Sequence, residues 1–210
     1  MADLAAARAF LRDLPKLHYW NDTWQVGGLN PQAGDRLIEI VTSVDKPEII
    51  ETGAGSTTLL FLQLEPVSVT TIAPDAALRD RMLAEAEKRG IPTVALRFIA
   101  DRSELVLPKL AADGHGYNVA FIDGNHGWPS VFVDFCYLNY MLRQDGLLVV
   151  DDLQLYSCAQ LYLLLLQQPE YELASLDANG KQATFRKVTG ARWLPDWRQE
   201  PFIVMNSVTK

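Results

Sequence analysis

Three stretches of the chain carry an apolar run into a carboxylate. Ile49-Ile50 leads into Glu51, Phe121-Ile122 into Asp123, and Val149-Val150 into Asp151 and Asp152. If these runs are parallel strands of one open sheet, their carboxyl ends share an edge, and the four acids converge on the cleft where such sheets bind ligands. Grouped carboxylates destabilise one another unless a cation or a set of donors answers them, so the grouping itself points to a site. His126 stands three residues after Asp123. With an unperturbed pKa near neutrality it is the best candidate base, the structural alternative being that it orders its loop. Asp151 and Asp152 read either as ligands of a cation or as a cap on the helix that follows.

The first acid runs into Thr52-Gly53-Ala54-Gly55-Ser56-Thr57-Thr58. Gly53 and Gly55 allow a sharp turn and a close backbone approach to a ligand, and Ser56 offers a hydroxyl near a helix N-terminus, as a nucleotide-cofactor loop requires. The dinucleotide fingerprint is incomplete. Thr58 stands where its third glycine belongs, and Glu51 would repel a pyrophosphate while suiting a cationic amine. A purely structural strand-to-helix turn has the same two glycines.

The elements that must position these residues alternate from about residue 30 onward. Asn30-Pro31 starts a helix, Val67 to Ile72 reads as a second strand, and Asp75 caps a helix that stops at Gly90. Val94 to Ile99 is a third strand, Ser103 to Ala112 a helix, Tyr117 to Ile122 a fourth strand and Pro129 to Leu142 a helix before Leu147 to Val150. A helix over Cys158 to Gln168 precedes two segments, Tyr171 to Leu176 and Gln182 to Val188, that flank an Asn179-Gly180 hairpin signal. The pattern is that of an α/β fold with a mainly parallel sheet and an antiparallel edge. One domain is expected: an N-terminal arm or lid over 1–30, the α/β body over 31–190, and a tail over 191–210 whose large apolar residues pack back on the body.

Hydrophobic residues make up 49% of the chain, which rules against disorder, and a formal net charge of −7 argues against binding nucleic acid through its phosphates. The N-terminal stretch is interrupted by Arg8, Arg12 and Asp13, unlike a signal peptide, and Leu161 to Leu166 is far short of a membrane span. A cytoplasmic protein without nucleic-acid or membrane partners is expected. Cys136 and Cys158 have no metal-ligand spacing and read as buried free thiols, and His18 and His115 as surface or packing histidines.

Between about Pro47 and Leu153 the chain resembles the class I S-adenosylmethionine-dependent methyltransferases, and more narrowly the small bacterial branch related to catechol-type O-methyltransferases. The resemblance is carried by Glu51-x-Gly53-x-Gly55, by Phe98-Ile99-Ala100-Asp101-Arg102-Ser103-Glu104, and by Phe121-Ile122-Asp123-Gly124-Asn125-His126. Asp134 and the run from Leu142 through Gly146 to Asp151-Asp152 complete it. It implies a Rossmann-like, doubly wound sheet of seven strands with the last reversed, the cofactor over the first glycine loop and a small-molecule acceptor over the fourth and fifth strand ends.

By the same resemblance Glu51, Gly53, Ala54, Gly55 and Ser56 hold the methionine portion of S-adenosylmethionine, Asp101 and Arg102 lie beside the adenine, and Asp123 closes the methionine side and faces the acceptor. Asp123, Asp151 and Asp152 stand at the positions that ligate a divalent cation in the metal-using relatives, and an oxygen-only set suits magnesium. Two positions depart from the pattern. Ala73 replaces the acid that binds the ribose hydroxyls, leaving Asp75 as its substitute, and Asn125 stands where many relatives have an acid. Losing a bidentate ribose contact costs about 1–3 kcal/mol, one to two powers of ten in affinity. The expectation is a methyltransferase acting on an oxygen, with Asp123, His126 and Asp151 catalytic. The alternatives are a methyltransferase-like binding domain without activity and a nicotinamide-dependent dehydrogenase. Magnesium use, a homodimer and the acceptor's identity stay open.

Overall fold

A computed structural model describes residues 3–20, 24–25, 28–191 and 198. The tail from 192 onward, 198 apart, and the side chains of Trp20 and Trp24 lie outside the described residues, and with them the expected packing of that tail. Seven strands form one sheet: β1 (Glu48–Thr52), β2 (Ser68–Ile72), β3 (Leu96–Ile99), β4 (Tyr117–Ile122), β5 (Leu142–Val150), β6 (Tyr171–Leu176) and β7 (Ala183–Lys187). Their order is β3-β2-β1-β4-β5-β7-β6, with β7 antiparallel to both β5 and β6 and all other pairs parallel. This is the Rossmann-like methyltransferase architecture with its antiparallel C-terminal hairpin.

Among the described residues seven α-helices flank the sheet: α1 (Leu4–Arg12), α2 (Pro31–Thr42), α3 (Ser56–Gln63), α4 (Ala76–Arg89), α5 (Ser103–Ala112), α6 (Ser130–Met141) and α7 (Tyr156–Leu165). The period-two alternation of the strands sorts them into two layers. Ile49, Val119, Phe121, Leu147 and Val149 face a cluster with Phe10, Leu37, Val41, Leu60 and Met82 from α1 to α4. Ile50, Ala120, Ile122, Leu148 and Val150 face Leu107, Val131, Leu138 and Leu161 from α5 to α7. α3 is enclosed, every residue from Ser56 to Leu62 being buried, with Leu59 to Leu62 its apolar part.

Local signals act as their chemistry dictates. The Asn30 side chain accepts from Gln32 N–H at 2.8 Å, and Asp75 caps α4 through Ala77 N–H at 2.8 Å. Gly90 ends α4 at φ 66, and Gly180 turns the hairpin at φ 67 while Asp177 Oδ1 accepts from Lys181 and Gln182 N–H. The third strand starts at Leu96, not Val94, since Leu96 N–H bonds back to Thr93 and closes a turn there. The reversed β7 is tied to the body by Lys187, 1% exposed, whose ammonium donates to the carbonyls of Asn139 at 2.5 Å and Leu142 at 3.1 Å, where α6 ends. No helix among the described residues is long and apolar enough to cross a membrane.

The centre of the core is the edge-to-face pair of Phe121 on β4 and Phe61 on α3, ring centroids 5.8 Å apart and both fully buried. Phe121→Ala is expected to lower the unfolding free energy by about 3–5 kcal/mol, read from urea denaturation, because the parallel strands around it cannot collapse into the void.

Candidate active site

Backbone hydrogen bonding does not stop at the strand ends. Gly53 N–H bonds to Ile72 O at 3.0 Å, Asp123 N–H to Thr52 O at 3.0 Å, and Asp151 N–H to Ile122 O at 3.1 Å. Three residues just past three strands are thereby laid side by side at one sheet edge. They open onto a cleft of about 540 Å³, within the usual range of small-molecule sites, whose wall includes Gly53, Ala54, Ser56, Asp75, Arg102, Asp123, His126, Asp151 and Asp152. Gly53 has φ 93, and a Cβ on it would fall 2.2 Å from Asp123 O, so only glycine lets the first loop pass the fourth strand end. Gly55 has φ 151, and its N–H donates to Thr58 Oγ1 at 3.0 Å, which is the work of the threonine in the third glycine's place.

Glu51, Gly55 and Asp101 are not part of that wall. Glu51 lies inside β1, fully buried, and accepts from Thr71 at 2.6 Å and from Thr57 at 3.2 Å. Of these hydroxyl donors Thr57 reaches the wall, so the carboxylate sits one side chain beneath the cleft. Asp101 accepts from Arg102 N–H at 2.8 Å and orders the loop before α5. Asp75 reaches the wall, but both its oxygens are engaged, one with Ala77 N–H and the other with Arg81 at 3.1 Å. Ala73 is also on the wall, 4% exposed, so the expected ribose position presents a methyl group.

The acids of the fourth and fifth strand ends meet at His126. Its Nε2 lies 3.1 Å from Asp152 Oδ2 and 3.7 Å from Asp123 Oδ1, and its Nδ1 is 3.5 Å from the buried Cys158 Sγ. Burial opposes protonation of the ring, but the Asp152 and Cys158 contacts prevail and push its pKa up to about 10. A histidine so placed is a cationic partner for the carboxylates, and it acts as a base only after giving up its Nε2 proton. Asp123 moves the other way from an ordinary carboxylate: burial, then the charge of Asp151, raise its pKa well above the usual range. Asp151 is raised by burial and accepts from Asp152 N–H at 2.8 Å, while the hydrogen bond from His126 lowers Asp152. Asp123, His126 and Asp152 bring ligand atoms within 4.8 Å of one another; Asp151, expected in that set, is outside it.

Asn125 has a structural task. Its Oδ1 accepts from Gly127 N–H at 3.0 Å and its Nδ2 donates to Ser130 Oγ at 3.0 Å, while that hydroxyl donates to Glu104 at 2.5 Å. An aspartate could not supply the donor half of this arrangement. Sequence reasoning missed Ser103 and Glu104 as wall residues, and it read His18 as a surface or packing histidine within an arm or lid. His18 lies over the glycine loop, its Nε2 2.6 Å from where a Gly55 Cβ would be, and the carbonyl of Leu17 accepts from Arg81 at 2.9 Å. Only the unusual glycine opposite could have signalled that close approach.

The fold is that of the S-adenosylmethionine-dependent methyltransferases, and residues 50–153 match the family model of a methyltransferase domain. Among solved structures it is similar to the O-methyltransferase TomG of Streptomyces achromogenes, involved in tomaymycin synthesis and solved with S-adenosylmethionine. That similarity has TM-score 0.65 and 17% identity, covering 89% of either chain. An O-methyltransferase from Bacillus cereus, solved with S-adenosylhomocysteine, aligns at TM-score 0.65 and 14% identity over 88% of this chain and 91% of that one. An rRNA methylase from Streptococcus thermophilus aligns at TM-score 0.53 and 15% identity over 74% of this chain and 93% of that one. The fold is thus shared by proteins described with different acceptors. No curated protein matches the sequence.

Glu51 gives this site a pH signature. Burial raises its carboxyl from 4.5 to about 7, against the pull of the hydroxyls of Thr58, Thr71 and Thr57. Between those values the unfolded chain has lost a proton that the folded protein keeps, so stability falls as pH rises through the window. The loss amounts to about 3 kcal/mol at about 1.4 kcal/mol per unit. Urea midpoints of the ligand-free protein at pH 5 and pH 8 are expected to differ more for the wild type than for Glu51→Gln. Equal differences in the two proteins would reject this account.

Proposed function

We propose that the chain transfers the methyl group of S-adenosylmethionine to a hydroxyl oxygen of a small-molecule acceptor. The observation that carries this reading is that the glycine loop and the Asp123, His126 and Asp152 group line one cleft. The family match supports the cofactor, and the O-methyltransferases among the similar structures support oxygen as the target. The acidic balance of the chain favours a small molecule over a polyanion.

When bound, S-adenosylmethionine supplies a methyl group on a sulfonium, open to in-line attack by an oxygen lone pair. The chain's part is to align the acceptor, exclude water and remove the hydroxyl proton. Gly53, Ala54, Ser56 and Thr57 form the wall for the amino-acid end, with Glu51 beneath as its countercharge, and Arg102 and Ser103 flank the adenine end. Asp123, at the fourth strand end on the cleft wall and 3.7 Å from His126, is the group placed to take the proton. His126, between Asp123 and Asp152, holds the acids together and fixes their orientation. Magnesium, a cation of oxygen ligands, is a poor fit to two carboxylates and an imidazole.

Calorimetric titration with S-adenosylhomocysteine is expected to give a dissociation constant in the micromolar range, and absence of binding at millimolar ligand would sink the reading. Ala73→Asp, which restores a carboxylate at the ribose position, should tighten that binding about tenfold. Binding without turnover across phenolic, catecholic and aliphatic hydroxyl acceptors would favour a binding domain, a reading that the methyl group of Ala73 and the engaged oxygens of Asp75 keep in play. Once an acceptor is found, Asp123→Asn should lower kcat about 10²–10⁴-fold while leaving the S-adenosylhomocysteine affinity within a few-fold; undiminished kcat would remove Asp123 as the base.

A further inference from the structure

We propose, on the methyltransferase reading, that His18 of the N-terminal arm accepts a hydrogen bond from the cofactor's ribose, a task for which the second strand end offers no unengaged side chain. Ala73, at that strand end, presents a methyl group to the cleft. Both oxygens of Asp75 are engaged, one with Ala77 N–H and the other with Arg81. Ribose hydroxyls turned to such a wall would give up water without gaining an acceptor in exchange. His18 reaches the same part of the cleft from the arm. The bond from Gly53 N–H to Ile72 O sets the glycine loop against the second strand end, and His18 stands where the two meet. Its Nε2 is 2.6 Å from the position a Gly55 Cβ would take, and the charges of Arg81 and Asp75 both act on its ring.

The chemistry of the ring suits the task. Nε2 is the ring atom nearest the loop, the carbons on either side of it standing 3.6 Å from the same point, and the Ala54 carbonyl accepts a hydrogen bond from the ring. Together these put the ring proton on Nε2 and leave Nδ1 as an acceptor, which a neutral imidazole keeps and an imidazolium lacks. Burial lowers the pKa of His18 against the pull of the Ala54 carbonyl, and the charge of Arg81 lowers it further, so the ring is neutral at pH 7. Its seat is fixed by the neighbours on either side in the chain. Arg81 donates to the Leu17 carbonyl at 2.9 Å, and its guanidinium stands 6.0 Å from the Tyr19 ring centroid. Gly28 and Leu29, farther along the arm, line the same cleft. The arm is thus a built part of the wall where the strand end is deficient.

The test is calorimetric titration of the full chain with S-adenosylhomocysteine and with its 2′,3′-dideoxy analogue, which lacks only the ribose hydroxyls. His18→Ala, checked for folding by its melting, should weaken S-adenosylhomocysteine about three- to tenfold and leave the affinity for the analogue within about twofold of the wild type. Ala73→Asp should then restore affinity in the His18→Ala protein, by a larger factor than it gains in the wild type, because the carboxylate replaces a missing acceptor instead of adding to one already there. Equal weakening of both ligands would mean that the arm only closes the wall, and it would overturn the ribose contact. Undiminished affinity of His18→Ala for S-adenosylhomocysteine would do the same. Either result, with the wild type binding S-adenosylhomocysteine, rejects the His18 contact alone; absence of wild-type binding at millimolar ligand rejects the methyltransferase reading and the contact with it.

Discussion

The site depends on backbone hydrogen bonds that continue one residue past the strands. The bonds from Gly53 to Ile72, from Asp123 to Thr52 and from Asp151 to Ile122 fix the height at which each connection leaves the sheet. Parallel pairing makes this a strict constraint. A slip of one residue would turn every side chain to the opposite face and carry apolar groups to the cleft and carboxylates into the core. The two apolar layers, divided by the alternation of Ile49 with Ile50 and of Phe121 with Ile122, hold that register. Core packing therefore sets the geometry of the acids as surely as it sets stability.

The acids at and near the cleft are answered in different ways. Glu51 is covered by threonine hydroxyls, Asp75 by a helix N-terminus and Arg81, and Asp101 by the next backbone N–H. Asp152 takes His126 and Gln154. Asp123 keeps only a longer approach to His126, at 3.7 Å, while Asp151 crowds its charge. Chemically equivalent side chains thus stand in different surroundings, and burial with the charge of Asp151 raises the proton affinity of Asp123 while the His126 hydrogen bond lowers that of Asp152.

The N-terminal arm is part of the same construction. Arg81 donates to Leu17 O and to Asp75, and its guanidinium lies 6.0 Å from the Tyr19 ring centroid, which seats His18 over the glycine loop. One arginine on α4 thereby couples the second strand's loop to the arm. Substituting Asp75 will act on both, since it belongs to the clamp as well as to the wall.

Much of the fold was legible in the sequence, for local reasons. Asn30-Pro31, Asp75 with Gly90, and Asp177 with Gly180 fix their own caps and turns through short hydrogen bonds, and the apolar runs into Glu51, Asp123 and Asp151 show period and burial by themselves. The glycine loop was legible because only glycine fits where Gly53 crosses Asp123. Tertiary structure alone decided which acids meet. Glu51 went beneath the cleft, where Thr57 of α3 covers it, Asp151 stands apart from the group of Asp123, His126 and Asp152 although it adjoins Asp152, and Cys158 of α7 lies behind the His126 ring. Sequence specifies which residues leave the strands and at what height. The direction in which each side chain then points is set by partners far away in the chain, and neither periodicity nor spacing records them.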